Sequence, residues 1–369
     1  MQTRESDSHR WVRCVGIGLL LLATLACNSL PRIRVDWPGA KETVDPQAAG
    51  VGSPTLSTVA QQQGESRVQP FPVGTVAATD YWEIQVLEVL RGQQAWQQIH
   101  AANRYNSPPP EGQEYLLLRM RVQCGDLGAE AMCELGMGVQ ATGDRLVVYS
   151  APAVVAPTPQ LPSRLQSGET AEGWEIFQIA EGEQSLMLVL DEPSSEPTPP
   201  YYLAIDPGAS IIADLALLEI TPTQAGTSIT SPVPLGERAV TEDWEVSVLD
   251  VVWGEDAWKW LVETNQFNDP PAAGREYGLA LIQIRYIDIM EGPAYVSRWY
   301  INVWDSSLEE ARDLPSLVVP EPDFSAKLFP GGEFMGWVAF DMPEGENFPL
   351  LVFTPYSGDY ETRYFALRP

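Results

Sequence analysis

Histidine and cysteine are scarce in this chain of 369 residues: 2 His and 4 Cys stand against 50 Asp and Glu. A Ser-His-Asp or Cys-His nucleophile system needs a histidine in hydrogen-bond reach of the nucleophile. His9 falls in an N-terminal leader, which leaves His100 on a short helical pattern with no partnered constellation, so it reads as helix decoration. The carboxylates are numerous enough to form glycosidase-like pairs, but sequence does not show which of them face each other, and no hydrolase motif accompanies them. The expectation is a non-enzyme with no catalytic residue, no cofactor and no assigned metal site; an unrecognised hydrolase is the remote alternative. Asp305-Ser306-Ser307-Leu308-Glu309-Glu310 and Gly254-Glu255-Asp256 are oxygen-rich loops that would suit weak extracellular calcium, although neither has EF-hand spacing. Cys124 and Cys133 enclose two glycines and lack a nearby His. That pattern fits a hairpin disulfide in an exported chain better than a tetrahedral metal site.

Tryptophan is the sharper signal for binding. Trp253, Trp260, Trp299 and Trp304 crowd the C-terminal third. If Trp299 to Trp304 is a strand, those two rings point to opposite faces and one is outward. An outward Trp beside acidic groups stacks on a sugar or anchors a protein partner; the competing reading is a ring packed against neighbouring chain. Asp269, in a shaped loop nearby, completes the candidate surface.

That loop, Asn265-Gln266-Phe267-Asn268-Asp269-Pro270-Pro271-Ala272-Ala273-Gly274-Arg275-Glu276-Tyr277, has a partner at Asn103 to Tyr115, 162 residues earlier. Paired prolines exclude a helix interior or central strand, and the glycine permits a turn. The loop is either a ligand-contacting element or a connector from a short helix into a strand. Self-similarity extends well beyond it: Phe71–Val122 against Val233–Ile284 gives 20 identities in 52 positions without a gap. Pro157/Pro320, Gly168/Gly331 and Trp174/Trp337 continue the match at an offset of 163. Repetition this long sets the organisation: residues 71–207 and 233–369 are two copies of one domain, joined by a linker at 208–232. Ile211 to Ile220 in that linker is apolar and forms an extra strand or packs at the junction.

Within each copy, alternation such as Trp82-Glu83-Ile84-Gln85-Val86-Leu87-Glu88-Val89 predicts half-buried strands. Ala95, Trp96, Ile99 and Ala102 predict one short helix. Many short strands between turn signals predict an all-β fold, two tandem β-sandwiches each with one helix. In the second copy Tyr286 and Tyr295 stand where the first has its cysteines, and a cross-strand aromatic pair is expected there.

Pro-x-Gly, then Trp-Glu-Val-x-Val-Leu, the Asn-Gln-Phe-Asn-Asp-Pro-Pro loop and Pro330-Gly331-Gly332-Glu333 ahead of Gly336-Trp337 resemble a bacterial extracellular domain of unknown function with an immunoglobulin-like fold, similar to the immunoprotective extracellular antigen family. The second copy matches more closely; the first has Tyr105 for Phe and Ser107 for Asp. The resemblance implies immunoglobulin-like sandwiches in secreted or lipid-anchored proteins, and it implies no catalytic residues.

The N-terminus fits that address. Basic residues precede the apolar run Val15 to Ala26, too short to span a bilayer and of signal-peptide length. The run ends Leu22-Ala23-Thr24-Leu25-Ala26-Cys27, which resembles the bacterial lipoprotein signal and marks residues 1–27 as leader plus a lipidated Cys27. Residues 28–70, rich in Pro, Gln, Gly, Ser and Thr, read as a disordered tether with a mean reach of roughly 35 Å. A net charge of −28 opposes nucleic acid and anionic headgroups. The expected partners are therefore the membrane through the lipid anchor only, and a protein ligand, with a glycan- or calcium-dependent ligand as the alternative.

Overall fold

Two β-sheets face each other across an apolar core in the first half of the chain, and the arrangement recurs in the second half. A computed structural model describes residues 63–368 except 129–130, 136–137, 193–198, 290–291, 308–311 and 356–360. The leader, Cys27, the tether as far as residue 62 and Leu308 to Glu310 of the acidic loop lie outside the described residues.

The first half runs β1 (Ala77–Ala78), β2 (Trp82–Arg91), α1 (Gly92–Ala102), β3 (Gln113–Cys124), β4 (Met132–Glu134), β5 (Val139–Thr142), β6 (Arg164–Gln166), β7 (Thr170–Ala180), β8 (Met187–Leu190) and β9 (Tyr201–Ala204). One sheet has the order β1-β2-β3-β7 and the facing sheet β5-β8-β9. Leu116, Leu118 and Met120 from the first meet Leu188, Leu190 and Leu203 from the second in one buried cluster. The second half runs β10 (Arg238–Val240), β11 (Trp244–Trp253), α2 (Gly254–Thr264), β12 (Arg275–Tyr286), β13 (Ala294–Ser297), β14 (Ile301–Trp304), β15 (Arg312–Asp313), β16 (Ser325–Leu328), β17 (Glu333–Pro343), β18 (Leu350–Phe353) and β19 (Arg363–Ala366). Its sheets are β10-β11-β12-β17 and β15-β14-β18-β19, with a separate core through Val246, Ile282, Phe340 and Phe353. Period-two alternation thus becomes inward and outward faces, and the fold is all-β with two helices among the described residues.

Several details recur at matched positions. The register of β2 on β3 shifts between Val86 and Glu88, and that of β11 on β12 between Val248 and Asp250. Each helix follows its strand directly at a glycine with positive φ, Gly92 at 53° and Gly254 at 60°. A side chain there would be strained in φ and would also approach Glu114 or Glu276, so only glycine serves. The helix therefore starts at Gly92, three residues before Ala95, where the apolar pattern begins. It packs Ala95 and Ile99 on the outer face of its sheet, against Tyr115 and Leu117; α2 does the same with Ala257 and Leu261.

The structure corrects two expectations and decides between the two readings of a third. Residues 63–70 are folded, not tether: Tyr202 N donates to Gly64 O (2.7 Å), Phe71 N to Tyr202 O (2.8 Å) and Ile211 N to Arg67 O (2.9 Å). Arg67 is buried with its guanidinium 4.3 Å from the centre of the Phe329 ring. Polar composition misled there because a guanidinium on an aromatic face is hidden without being apolar. Of the two readings of 211–220, packing at the junction holds and the strand does not: Leu215–Glu219 is a short 3-10 turn capped by Asp214, Leu217 packs on Val240 and Ile287, and Ile211 packs beside Phe329. The Tyr286–Tyr295 pair does not form. Tyr286 stacks on Trp244 at 4.9 Å, while Tyr295 is exposed with its hydroxyl on Ser325. Val296, the next residue along β13, is the one that is buried, and period two turns Tyr295 to the other face. Cys124 and Cys133 are joined by a disulfide with Cα atoms 5.7 Å apart.

The halves meet where Val148 N donates to Lys327 O (2.8 Å) and Phe329 N to Leu146 O (2.8 Å). Phe329 is fully buried there among Val148, Tyr202 and Ile211.

Candidate binding surface

The repeated loop can be built residue by residue. Asn265 closes α2, its N–H on Leu261 O (3.0 Å), and its Oδ1 accepts from Phe267 N (3.2 Å). Asn268 is buried and makes three bonds: Nδ2 to Leu261 O (2.9 Å) and to Val318 O (2.8 Å), and Oδ1 from Val318 N (3.0 Å). One amide thus ties the helix end to the segment crossing behind it. Tyr277 donates its hydroxyl to Asp269 O (3.1 Å), which fixes the proline turn above the strand. Burial, then the carboxylates of Asp341 and Asp269, push that hydroxyl's pKa up, so it stays a donor. The first half repeats each contact: Asn106 Nδ2 to Ile99 O and Val155 O (both 2.9 Å), Val155 N to Asn106 Oδ1 (2.9 Å), and Tyr115 to Ser107 O (3.0 Å).

With these residues assigned, one repeated position has no inward partner. Phe267 is 81% exposed and Tyr105 is 76% exposed, each at the loop tip. Beside them stand Val318 and Val155, also exposed, whose backbones the buried asparagines clamp. An aromatic and a valine are therefore held outward in both halves on a hydrogen-bonded frame. Such a frame lowers the ordering cost of binding.

The expected tryptophan surface divides. Trp253 is a packing residue: its ring meets Phe340 edge-on at 5.1 Å, and Arg368 covers it at 4.1 Å. The first half explains why. Arg91 lies opposite Leu116 there, whereas Trp253 lies opposite Gly278. Phe340 takes the room the glycine leaves and Trp253 packs edge-on against it, while Arg368 supplies the cation that Arg91 gives Glu114, binding Glu276 at 2.8 Å. Trp304 is half-buried against Tyr364. Trp260 is 39% exposed and sits edge-on to Trp337 at 5.5 Å. Trp299 is not in a strand; it lies in the 3-10 turn Arg298–Tyr300 and is 79% exposed, with Arg298 beside its ring. Asp269 is exposed in the loop and contributes its backbone carbonyl.

No family model matches the sequence, and no curated protein matches it. Among solved structures the chain is similar to a candidate lipoprotein (ycdA) of Bacillus subtilis, at 15% identity over 39% of this chain and 41% of that one, TM-score 0.27. It is also similar to the yjhA protein of Bacillus subtilis (11% identity, 37% of this chain, 98% of that one, TM-score 0.26). An uncharacterized β-sandwich protein of Clostridium difficile aligns at 11% identity over 36% of this chain and 91% of that one, TM-score 0.23. The chain thus spans about two fifths of the ycdA protein.

Two further features went unforeseen. Arg368 is more than a hundred positions from Trp253, so no local pattern links them; the clue was that Glu276 loses its arginine when Arg91 is matched by Trp253. Glu183 is buried under Tyr149 Oη (2.7 Å) and Arg145 N (2.9 Å). Burial raises its pKa, assisted by Asp144 and opposed by those two bonds. Among the described residues no group of three or more metal-ligating side chains occurs, and no helix is long and apolar enough to cross a membrane.

Proposed function

We propose that the chain is a non-catalytic, lipid-anchored envelope protein whose two immunoglobulin-like modules, 71–207 and 233–369, hold a protein partner through their aromatic loop tips. The observation that carries the reading is the exposure of Phe267 and Tyr105 in loops whose other repeated polar residues are occupied in holding the loop. A large ring kept in water on a rigid frame gains most by burial against another surface, about 25 cal/mol per Å² of apolar area. The lipoprotein-like Leu22 to Cys27 supports mooring outside the cytoplasm, and the surface charge supports a protein ligand over nucleic acid.

Photo-crosslinking on intact cells tests it. A photoreactive phenylalanine analogue at 105 or 267 is expected to trap the same partner, and one at Leu218, exposed elsewhere, is not. The purified partner should bind the Phe267→Ala chain about ten-fold more weakly. Equal trapping at all three positions, or unchanged affinity, would remove the proposal.

A further inference from the structure

Below the bonds at 146–148 and 327–329 the two halves part, 149–153 forming one wall and 321–326 the other of a cleft of about 990 Å³. That lies at the upper end of the range for ligand sites. Its floor is the outer face of the β12–β17 sheet, where Leu281 lies opposite Trp337 and Gln283 opposite Met335. The same places in the first half are Arg119 opposite Trp174 and Arg121 opposite Glu172. There Glu172 binds both arginines, at 3.2 and 2.6 Å, as suits a sheet face in water. In the second half that network is replaced by leucine, glutamine and methionine, and Met335 is left 47% exposed. An apolar floor has thus replaced an ion-pair network in the half whose sheet lines a cleft.

The rim carries the opposite character. Glu321 and Asp323 stand exposed on one wall, with Glu111 across from them, and among the described residues none has a basic partner. The cleft's arginine, Arg145, is already held by Glu183 (3.4 Å) and Glu181 O (3.0 Å). Glu333 lies 3.7 Å from Arg285. The uncompensated charge at the rim is therefore negative. We propose that this cleft is a docking site for a basic peptide segment of a partner protein, its Lys and Arg side chains at Glu111, Glu321 and Asp323 and its apolar residues on Met335 and Trp337. Methionine adapts to varied side chains, indole faces attract cations, and a charged cleft speeds encounter with an opposite charge. The site is separate from the loop tips and does not depend on them.

Calorimetric titration of the full chain with the peptide Lys-Phe-Lys-Leu-Arg-Phe, against Glu-Phe-Glu-Leu-Glu-Phe, tests it. The basic peptide is expected to bind and the acidic one not. Glu321→Gln with Asp323→Asn should weaken binding about ten-fold, and so should Met335→Lys, which removes the apolar floor contact and sets a like charge against the peptide. Glu255→Gln with Asp256→Asn, exposed on α2, is the control for diffuse attraction to the acidic surface and should leave affinity unchanged. No binding of the basic peptide, equal loss in the control, or full affinity in the rim variant overturns the proposal. Loss only in Phe267→Ala does so too, because it would move the site to the loop tip.

Discussion

Two neighbouring residues of one loop should separate folding from binding. Asn268 is buried with three bonds to Leu261 and Val318. Asn268→Ala strands those backbone groups away from water, and the expected loss is about 2–4 kcal/mol, read as a lower midpoint in urea unfolding. Asn106→Ala should behave alike. Phe267→Ala, one residue away and 81% exposed, should change stability by no more than about 0.5 kcal/mol. A large loss at Phe267 would show that the ring is packed in solution, and the loop-tip reading would fall with it. The sequence made this loop visible through repetition but could not rank its members. Asparagine is as common in exposed turns as in buried clamps, and only the distance to Val318 shows which this one is.

At the level of strands and helices, the paired positions Trp253/Gly278 and Arg91/Leu116 form a natural exchange of large for small. A Cβ on Gly278 would lie 2.1 Å from the Phe340 ring, so Gly278→Ala alone should destabilise by about 2–3 kcal/mol. In a Trp253→Arg, Gly278→Leu chain, which restores the first-half pair, the combined loss should be smaller than the sum of the single losses by about 1 kcal/mol or more. Additive losses in thermal unfolding would mean that the two positions are not coupled through the Phe340 ring that both touch. This exchange marks the limit of reading elements from sequence. Alternation along Trp82 to Val89 located β2, and apolar spacing from Ala95 to Ile99 located α1, because strand and helix periods are written locally. The sidedness of Trp253 and Trp299 depended on a glycine across the sheet and on a 3-10 turn that broke the strand pattern. Tyr295 faces outward because its neighbour Val296 takes the buried side of β13, a choice of face that the matched spacing of cysteines and tyrosines does not reveal.

For the whole molecule, the distribution of proton-binding groups determines how stability responds to pH. Burial raises the pKa of Glu175, Glu183, Glu192 and Asp243. A carboxyl group with its folded-state pKa above its unfolded value, near 4.5 for Glu, binds protons more tightly in the folded chain. Its stabilising contribution is full below the unfolded value and is lost as pH rises through the folded one. Two groups run the other way. Hydrogen bonds from Arg121, then the charges of Arg121 and Arg119, hold Glu172 low. Burial would raise Glu346, but donors from Phe348 and Ser306 outweigh it. These two contribute stability that disappears as pH falls below about 4.5. The net charge of −28 adds repulsion that protonation relieves. The unfolding temperature should therefore climb as pH is lowered from 8 toward 5 and turn down only under stronger acid, a profile that differential scanning calorimetry measures directly. Each kcal/mol gained corresponds to a rise on the order of 2–4 °C. Glu183→Gln keeps the shape under Tyr149 but removes one titrating group, and the slope between pH 5 and 8 should become shallower. A temperature that falls steadily on acidification from pH 8 would mean that the buried carboxyls hold no excess protons, and the packing around Glu183 would then have to be redrawn.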